Sequence, residues 1–372
     1  MILGVLKEQA GENRVSLVPD VVKQFAQLKV RVLVEPDAGV TAFYSDGAYQ
    51  EAGAEITSRT QILQQADVLL SIHPPTADTW QQARSQATWT GIFQPLFNTA
   101  LMQDWAAKGF TVFSLDTIPR TTRAQSMDVL SSQANIAGYK AVLLAAYSYS
   151  RYFPMFTTAA GSIPPAKVLV LGAGVAGLQA VATARRLGAV VEVFDTRPAV
   201  KEEVMSLGAK FVEVEGAADA SKAGGYAVEQ SEEYKQKQAQ KIAESAAKAD
   251  IVISTAQIPG KKAPTLIPAT TLDKMKQGSV IVDLAASTGG NTEVTKNDET
   301  VQYKGVTVIG NSSLPSQMAC DASKLYAKNV LNFLKLVIDK EGNLHLNFED
   351  DIVKGACITH GGDIVNERVK QS

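Results

Sequence analysis

Three glycines and one acid form the chain's clearest chemical arrangement. Gly172, Gly174 and Gly177 stand in the order GxGxxG, after the apolar run Val168 to Leu171 and before Leu178 to Leu187, which carries helical spacing. Asp195 closes the next apolar run, VVEVF. Gly172 allows a tight turn, Gly174 lets backbone approach a pyrophosphate, and Gly177 lets a helix pack close to the strand. The phosphates belong at the helix N-terminus, where unpaired N–H groups and the helix dipole favour negative charge. A carboxylate at the end of the second strand accepts from both ribose hydroxyls of an adenosine. Arg197 can in principle hold a 2'-phosphate, but Asp195 repels that group first, so the pattern predicts NAD(H) over NADP(H).

A second cluster lies upstream in PRTTRAQSMDVLSSQANIAGYKAV, where Arg120, Arg123, Gln125, Asp128 and Ser131 bring charges of both signs together with an amide and a hydroxyl. From composition alone this is a capped helix with a surface ion pair. Downstream, Gly216 to Tyr226 is small, glycine-rich and polar, and Glu229 to Lys248 has the pattern of a charged helix with a thin apolar stripe. Two readings fit: a plain linker, or a lid that folds over bound nucleotide with Tyr226 as its aromatic contact. The two cysteines, Cys320 and Cys357, and the three histidines, His73, His345 and His360, are too sparse for a disulfide scaffold or a zinc cluster, so no metal site is expected.

These groups need elements to hold them. A chain of 372 residues exceeds one ordinary α/β core and predicts two domains. The first third alternates strand-like and helix-like runs: ILGVLK, VVKQFAQL, VRVLVE, DVLLSI, TWTGIF, TALMQDWAAK and FTVFSLD. That alternation predicts a parallel sheet with helices on its faces. The central third opens at GSIPPAK, read as an entry turn, and continues through the glycine motif, FVEVE, DIVIST and SVIVDLA. Long helical stretches at Ser131 to Tyr149 and Ala322 to Ile338 flank it. The predicted fold is α/β: two doubly wound, Rossmann-like parallel-sheet domains joined by long helices, with the cofactor in the interdomain cleft. The N-terminal domain comprises 1–130 plus 325–372, and the NAD(H)-binding domain 131–324.

A net charge of −2 and a pI near 6.0 give no electrostatic reason to expect nucleic acid. The N-terminus lacks the long apolar core of a signal peptide, and no apolar run reaches membrane-spanning length. A soluble chain is expected.

With GAGVAGLQAVATARRLGAVVEVFDTRP, RAQSMD, AGGYA and ISTAQIPGKKAP, the chain resembles, essentially from end to end, the NAD(H)-binding component of proton-translocating nicotinamide nucleotide transhydrogenase. The opening KEQAGENRVSLVP is part of the likeness, and RAQSMD is quite specific to that family. The resemblance implies direct hydride transfer from NADH here to NADP+ on a separate NADP(H)-binding component, coupled to proton movement through a membrane-spanning component. It implies that the loop from Arg120 to Ser131, with Arg123, Ser126 and Met127, contacts the nicotinamide and its ribose. Gln125 lies near the reacting ring, and Arg120 pairs with Asp128. Ala173, Gly174 and Val175, with Asp195, Thr196 and Arg197, line the adenosine half; Gly225 and Tyr226 belong to the mobile lid. Ala256 and Gln257 fall in ISTAQIPG, where Gln257 departs from the family's usual leucine, so packing on the nicotinamide differs there while backbone contacts survive. The resemblance further implies a homodimer and a separate cytoplasmic subunit, peripheral on the cytoplasmic face of the inner membrane.

Alanine dehydrogenase resembles the same two-domain fold and shares the opening with Arg14. It needs a lysine for the substrate and a histidine as general acid and base. This chain has His73 and Phe97 at about those places, and phenylalanine exchanges no proton. The alternatives to the transhydrogenase reading are therefore an alanine dehydrogenase-like oxidoreductase and a non-enzymatic NAD-sensing module.

Overall fold

The computed structural model of the chain describes residues 1–216 and 230–371. They form two compact units, Met1–Gln133 with Pro315–Ser372, and Ala134–Leu314. The expected α/β architecture, with a parallel-rich sheet in each unit, is what the chain adopts.

The first unit holds β1 (Ile2–Val5), β2 (Arg31–Val34), β3 (Glu55–Ile56), β4 (Val68–Leu70), β5 (Thr88–Gly91) and β6 (Thr111–Ser114). The second holds β7 (Phe156–Thr158), β8 (Gly161–Ile163), β9 (Lys167–Leu171), β10 (Val190–Phe194), β11 (Lys210–Phe211), β12 (Ile251–Ser254), β13 (Val280–Asp283), β14 (Thr300–Tyr303) and β15 (Val306–Ile309). Strands β16 (Cys357–His360) and β17 (Asp363–Ile364) return to the first unit.

In the first unit the order is β17-β16-β6-β5-β4-β1-β2-β3, parallel from β6 to β3, with β16 antiparallel on β6. The chain's wholly apolar strands make sense here, because a parallel sheet is covered on both faces and leaves no strand face for water. On one face Leu3, Val5, Val68 and Leu70 meet Tyr326, Val330, Phe333 and Leu334 of the helix Ala319–Val337. On the other, Leu69 meets three tryptophans, of which Trp89 and Trp105 stack with ring centroids 5.4 Å apart.

The second unit's sheet runs β11-β10-β9-β12-β13-β15-β14, parallel except for β14 at the edge. Alternation along β9 divides its two cores. Val168 and Val170 pack with Ala180, Val181 and Ala184 of the helix Val175–Arg186 and with Ala141 and Val142 of the helix Val129–Ser148. Leu169 and Leu171 pack with Ile242 and Ala246 of the helix Glu232–Ala246, the charged helix expected from the sequence. One local expectation fails. The first residues of GSIPPAK are strand β8, not a turn, and pair antiparallel with β7. Their small and β-branched side chains suit a hairpin that the two prolines then end.

Candidate dinucleotide site

In the second unit β9 pairs with β10 on one side and β12 on the other, so the chain reverses its winding at β9. Open α/β sheets bind ligands at the carboxyl ends of strands beside such a switch. Gly172 follows β9, Asp195 follows β10, Thr255 to Gln257 follow β12, and Asp283 ends β13, all at that edge.

Each glycine of the motif meets a different constraint. Gly172 has φ +100°, which favours glycine, and its N–H donates to the Phe194 carbonyl at 2.8 Å. A Cβ on Gly177 would stand 1.8 Å from the Gly172 carbonyl oxygen, so the helix reaches the strand only because that methyl is missing. A Cβ on Gly174 would meet nothing within 4 Å. Gly174 sits at the N-cap of the helix Val175–Arg186 and contributes no capping side chain. Open space, a bare helix N-terminus and no Cβ are together what a pyrophosphate needs. Gly138, on the helix Val129–Ser148, approaches as closely, since its Cβ would lie 2.1 Å from the Ala176 carbonyl oxygen.

Asp195 is 9% exposed. Its Oδ2 accepts from the Ala173 N–H at 2.7 Å and from the Arg197 guanidinium at 2.8 Å, and its Oδ1 accepts from the Arg197 backbone N–H at 2.8 Å and Nε at 2.9 Å. The carboxylate is thereby aimed along the glycine loop. The hydrogen bond to Asp195 raises the Arg197 pKa further above its ordinary value. The guanidinium that the sequence leaves open to a 2'-phosphate is thus engaged by the acid that repels that phosphate. Ala173 is buried, Val175 is exposed at the head of its helix, and Thr196 is half-buried.

The ISTAQ segment is held by residues that pattern reasoning missed. Thr255 Oγ1 donates to the Leu171 and Gly172 carbonyls at 3.1 and 3.2 Å. Fully buried Asn291 grips Ala256 at two points, accepting from its N–H at 3.1 Å and donating to its carbonyl at 2.9 Å. Fully buried Asp283 accepts from the Asn291 N–H at 2.6 Å and the Thr295 hydroxyl at 2.7 Å. Gln257 is exposed and donates to the Leu284 carbonyl at 2.9 Å. The only advance signal was the string DLAASTGGN after a strand.

The RAQSMD cluster lies in the first unit. Thr122–Met127 forms a 3-10 turn, followed by the helix Val129–Ser148. Asp128 accepts from the Ser131 N–H at 2.8 Å and hydroxyl at 2.6 Å, as expected of a helix cap. Arg120, Gln125 and Ser126 are exposed, and Met127 is buried. Arg123 grips Asp350 with two hydrogen bonds of 2.6 and 2.8 Å and also bonds Asp351. Asp350 in turn caps the helix Asp351–Ala356. The hydrogen bonds from Arg123 outweigh partial burial and hold the Asp350 carboxyl at about 2. Gly225 and Tyr226, the expected lid contacts, lie outside the described residues.

Near the carboxyl ends of β1 and β4, Arg14 is enclosed by Glu12, which accepts from Nε at 2.8 Å and from the terminal nitrogen at 2.6 Å, and by Gln133 Oε1 at 2.9 Å. His73 Nε2 lies 2.9 Å from Glu12. Burial alone would raise Glu12, but the hydrogen bonds from Arg14 and His73 hold it far below the usual range. Burial pushes Glu8 up to about 7, against the Ile72 N–H bond at 2.6 Å. Among the described residues no group of three or more His, Cys, Asp or Glu is placed to hold a metal ion, and no helix is long and apolar enough to cross a membrane.

A doubly wound sheet with a glycine-rich turn and a terminal acid at its switch point defines a Rossmann-like α/β protein. Residues 4–137 match the N-terminal domain of alanine dehydrogenase/PNT, and residues 141–367 the C-terminal domain. The chain belongs to the alanine dehydrogenase/PNT family. It is 46% identical over 376 residues to the first of the polypeptides that make up the NAD(P) transhydrogenase alpha subunit of Rhodospirillum rubrum, covering 98% of each chain. A crystal structure of transhydrogenase from Sinorhizobium meliloti superposes with a TM-score of 0.90 at 45% identity, covering 98% of this chain and 100% of that one. An L-alanine dehydrogenase shares the fold, with a TM-score of 0.84 at 23% identity over 100% of this chain and 98% of the other.

Proposed function

We propose that the chain is the NAD(H)-binding component of a proton-translocating transhydrogenase. The observation that carries this reading is the cradle at the β9 switch point: free space beside Gly174, the bare helix N-terminus, and Asp195 locked along the loop. Relatives named as transhydrogenase alpha subunits support it. In this role Gly172 to Gly177 hold the pyrophosphate of NADH, Asp195 with Thr196 and Arg197 takes the adenosine ribose, and Ala256 and Gln257 border the nicotinamide half. Because Arg197 occupies the Asp195 lone pairs, a ribose must compete with it, and NAD(H) remains favoured over NADP(H).

The bound nicotinamide supplies a hydride from its C4 to NADP+ on a partner component, and this requires alignment of two rings without a general acid or base. Arg120, Gln125, Asp128 and Ser131 serve that alignment: Asp128 fixes the first turn of its helix through Ser131, and Gln125 is presented on the exposed side of the turn. In this reading a membrane-spanning component moves the proton, and the chain works as a homodimer, peripheral on the cytoplasmic face of the inner membrane. Arg14, enclosed by Glu12 and Gln133, and Phe97, which exchanges no proton, weigh against amino-acid oxidation. The test mixes the purified chain with a transhydrogenase NADP(H)-binding component and follows reduction of an NADP+ analogue by NADH. Exchange that requires both proteins is expected. Rapid turnover of alanine or pyruvate by the chain alone would overturn the reading.

A further inference from the structure

The turn that presents Gln125 is a 3-10 segment, a geometry with poor internal hydrogen bonds that needs outside support. Much of that support comes from one amide. Asn329, 8% exposed on the helix Ala319–Val337, donates from Nδ2 to the Ser126 carbonyl at 2.8 Å. Its Oδ1 accepts from the Ser132 hydroxyl at 2.7 Å, nearer than that hydroxyl's other acceptor, the Val129 carbonyl at 3.1 Å. Asn332, one helical turn on, adds a second donor to Ser126 at 3.1 Å. The neighbouring Tyr326, Val330 and Phe333 are buried in the first unit's core, so this amide is mounted on a rigid helix.

Resting on the proposed function, we infer that Asn329 is a positioning residue for hydride transfer: one side chain pins the chain on both sides of Met127 and Asp128, and so sets where Gln125 stands. Ala or Leu at 329 packs the helix equally well but holds neither end of the turn. Misplacement by about 1 Å far from the reacting atoms costs on the order of a hundredfold in rate, because alignment is all the site supplies.

The test compares Asn329→Ala, Asn329→Asp and the milder Asn332→Ala with wild type. Asn329→Asp keeps the acceptor for Ser132 and loses the donor to Ser126. In Asn329→Ala, amide hydrogen exchange at Asp128, Ser131 and Ser132 is expected to speed up roughly tenfold or more, while amides of the helix carrying residue 329 keep wild-type protection. Transfer from NADH to a partner-bound NADP+ analogue is expected to slow about tenfold, with NADH affinity within about twofold of wild type. Asn329→Asp should fall between, and Asn332→Ala should slow transfer by less than about threefold. Combined with Gln125→Asn, Asn329→Ala should add little further loss, since both act through one side chain. Unchanged exchange at the turn, equal losses of rate and affinity, or additive effects in the double variant would overturn the inference. If wild type itself transfers no hydride, the proposed function fails, and the exchange data still decide whether Asn329 holds the turn.

Discussion

The glycine motif makes a paired prediction in which stability and affinity separate. Gly177 and Gly174 lie three residues apart, yet a methyl group at each meets opposite surroundings. At 177 it would lie 1.8 Å from a backbone oxygen, roughly half an ordinary contact distance, so the helix Val175–Arg186 must retreat from β9. Overpacking of this kind costs about 1–3 kcal/mol, which for a unit of this size lowers the melting temperature by roughly 4–8 °C. At 174 the added methyl meets no protein atom within 4 Å, and the backbone there, φ −76° and ψ −171°, is one that alanine adopts freely. Gly174→Ala should therefore melt within about 2 °C of wild type, or slightly higher through the smaller entropy of its unfolded chain. Its methyl occupies the space assigned to the pyrophosphate. Losing one or two charge-assisted N–H bonds of about 1.5 kcal/mol each weakens NADH binding roughly tenfold to a hundredfold. The assay is calorimetric melting beside NADH titration for both variants. A Gly174→Ala chain that binds NADH as tightly as wild type would refute the placement of the pyrophosphate; a Gly177→Ala chain with wild-type melting would refute the close-packing argument.

Other perturbations read different parts of the chain. Gln125→Asn should slow hydride transfer far more than it weakens NADH binding, and stopped-flow transfer beside equilibrium titration would detect the reverse. Glu8, raised by burial to about 7, binds more protons folded than unfolded, so the first unit should lose stability as pH rises from about 4.5 to about 7, by a total of about 3 kcal/mol. Glu8→Gln should flatten that slope in denaturant melts at pH 5 and pH 8. Asp350 behaves oppositely. Held at about 2 by Arg123, it contributes stability above pH 4 that disappears as pH falls toward 2. Asp350→Ala also removes the cap of the helix Asp351–Ala356 and should cost about 1 kcal/mol at pH 7, measured by urea unfolding.

The parts of the molecule governed by local pattern were legible in its residues. Apolar β-branched runs became the buried parallel strands, the glycine spacing matched one turn and one close approach, and the Glu229 to Lys248 pattern became the helix Glu232–Ala246. What escaped was set by partners far along the chain. Arg123 and Asp350 are 227 residues apart, and Ser132 and Asn329 are 197 apart. Asn291 reaches Ala256 across 35 residues. No periodicity encodes such pairs, because side-chain hydrogen bonds are settled only once the strands are ordered in the sheet. Hairpin β7–β8 was hidden for a related reason: proline and glycine near GSIPPAK mark a break in structure but not which residue begins it.

Deuterium placed at the transferable C4 position of NADH tests the account most directly. With the chain and an NADP(H)-binding component present, the reduced NADP analogue should carry the full deuterium label and the solvent none. Label appearing in water, or reduction that proceeds only when an amino acid is supplied, would contradict a site that works by alignment alone.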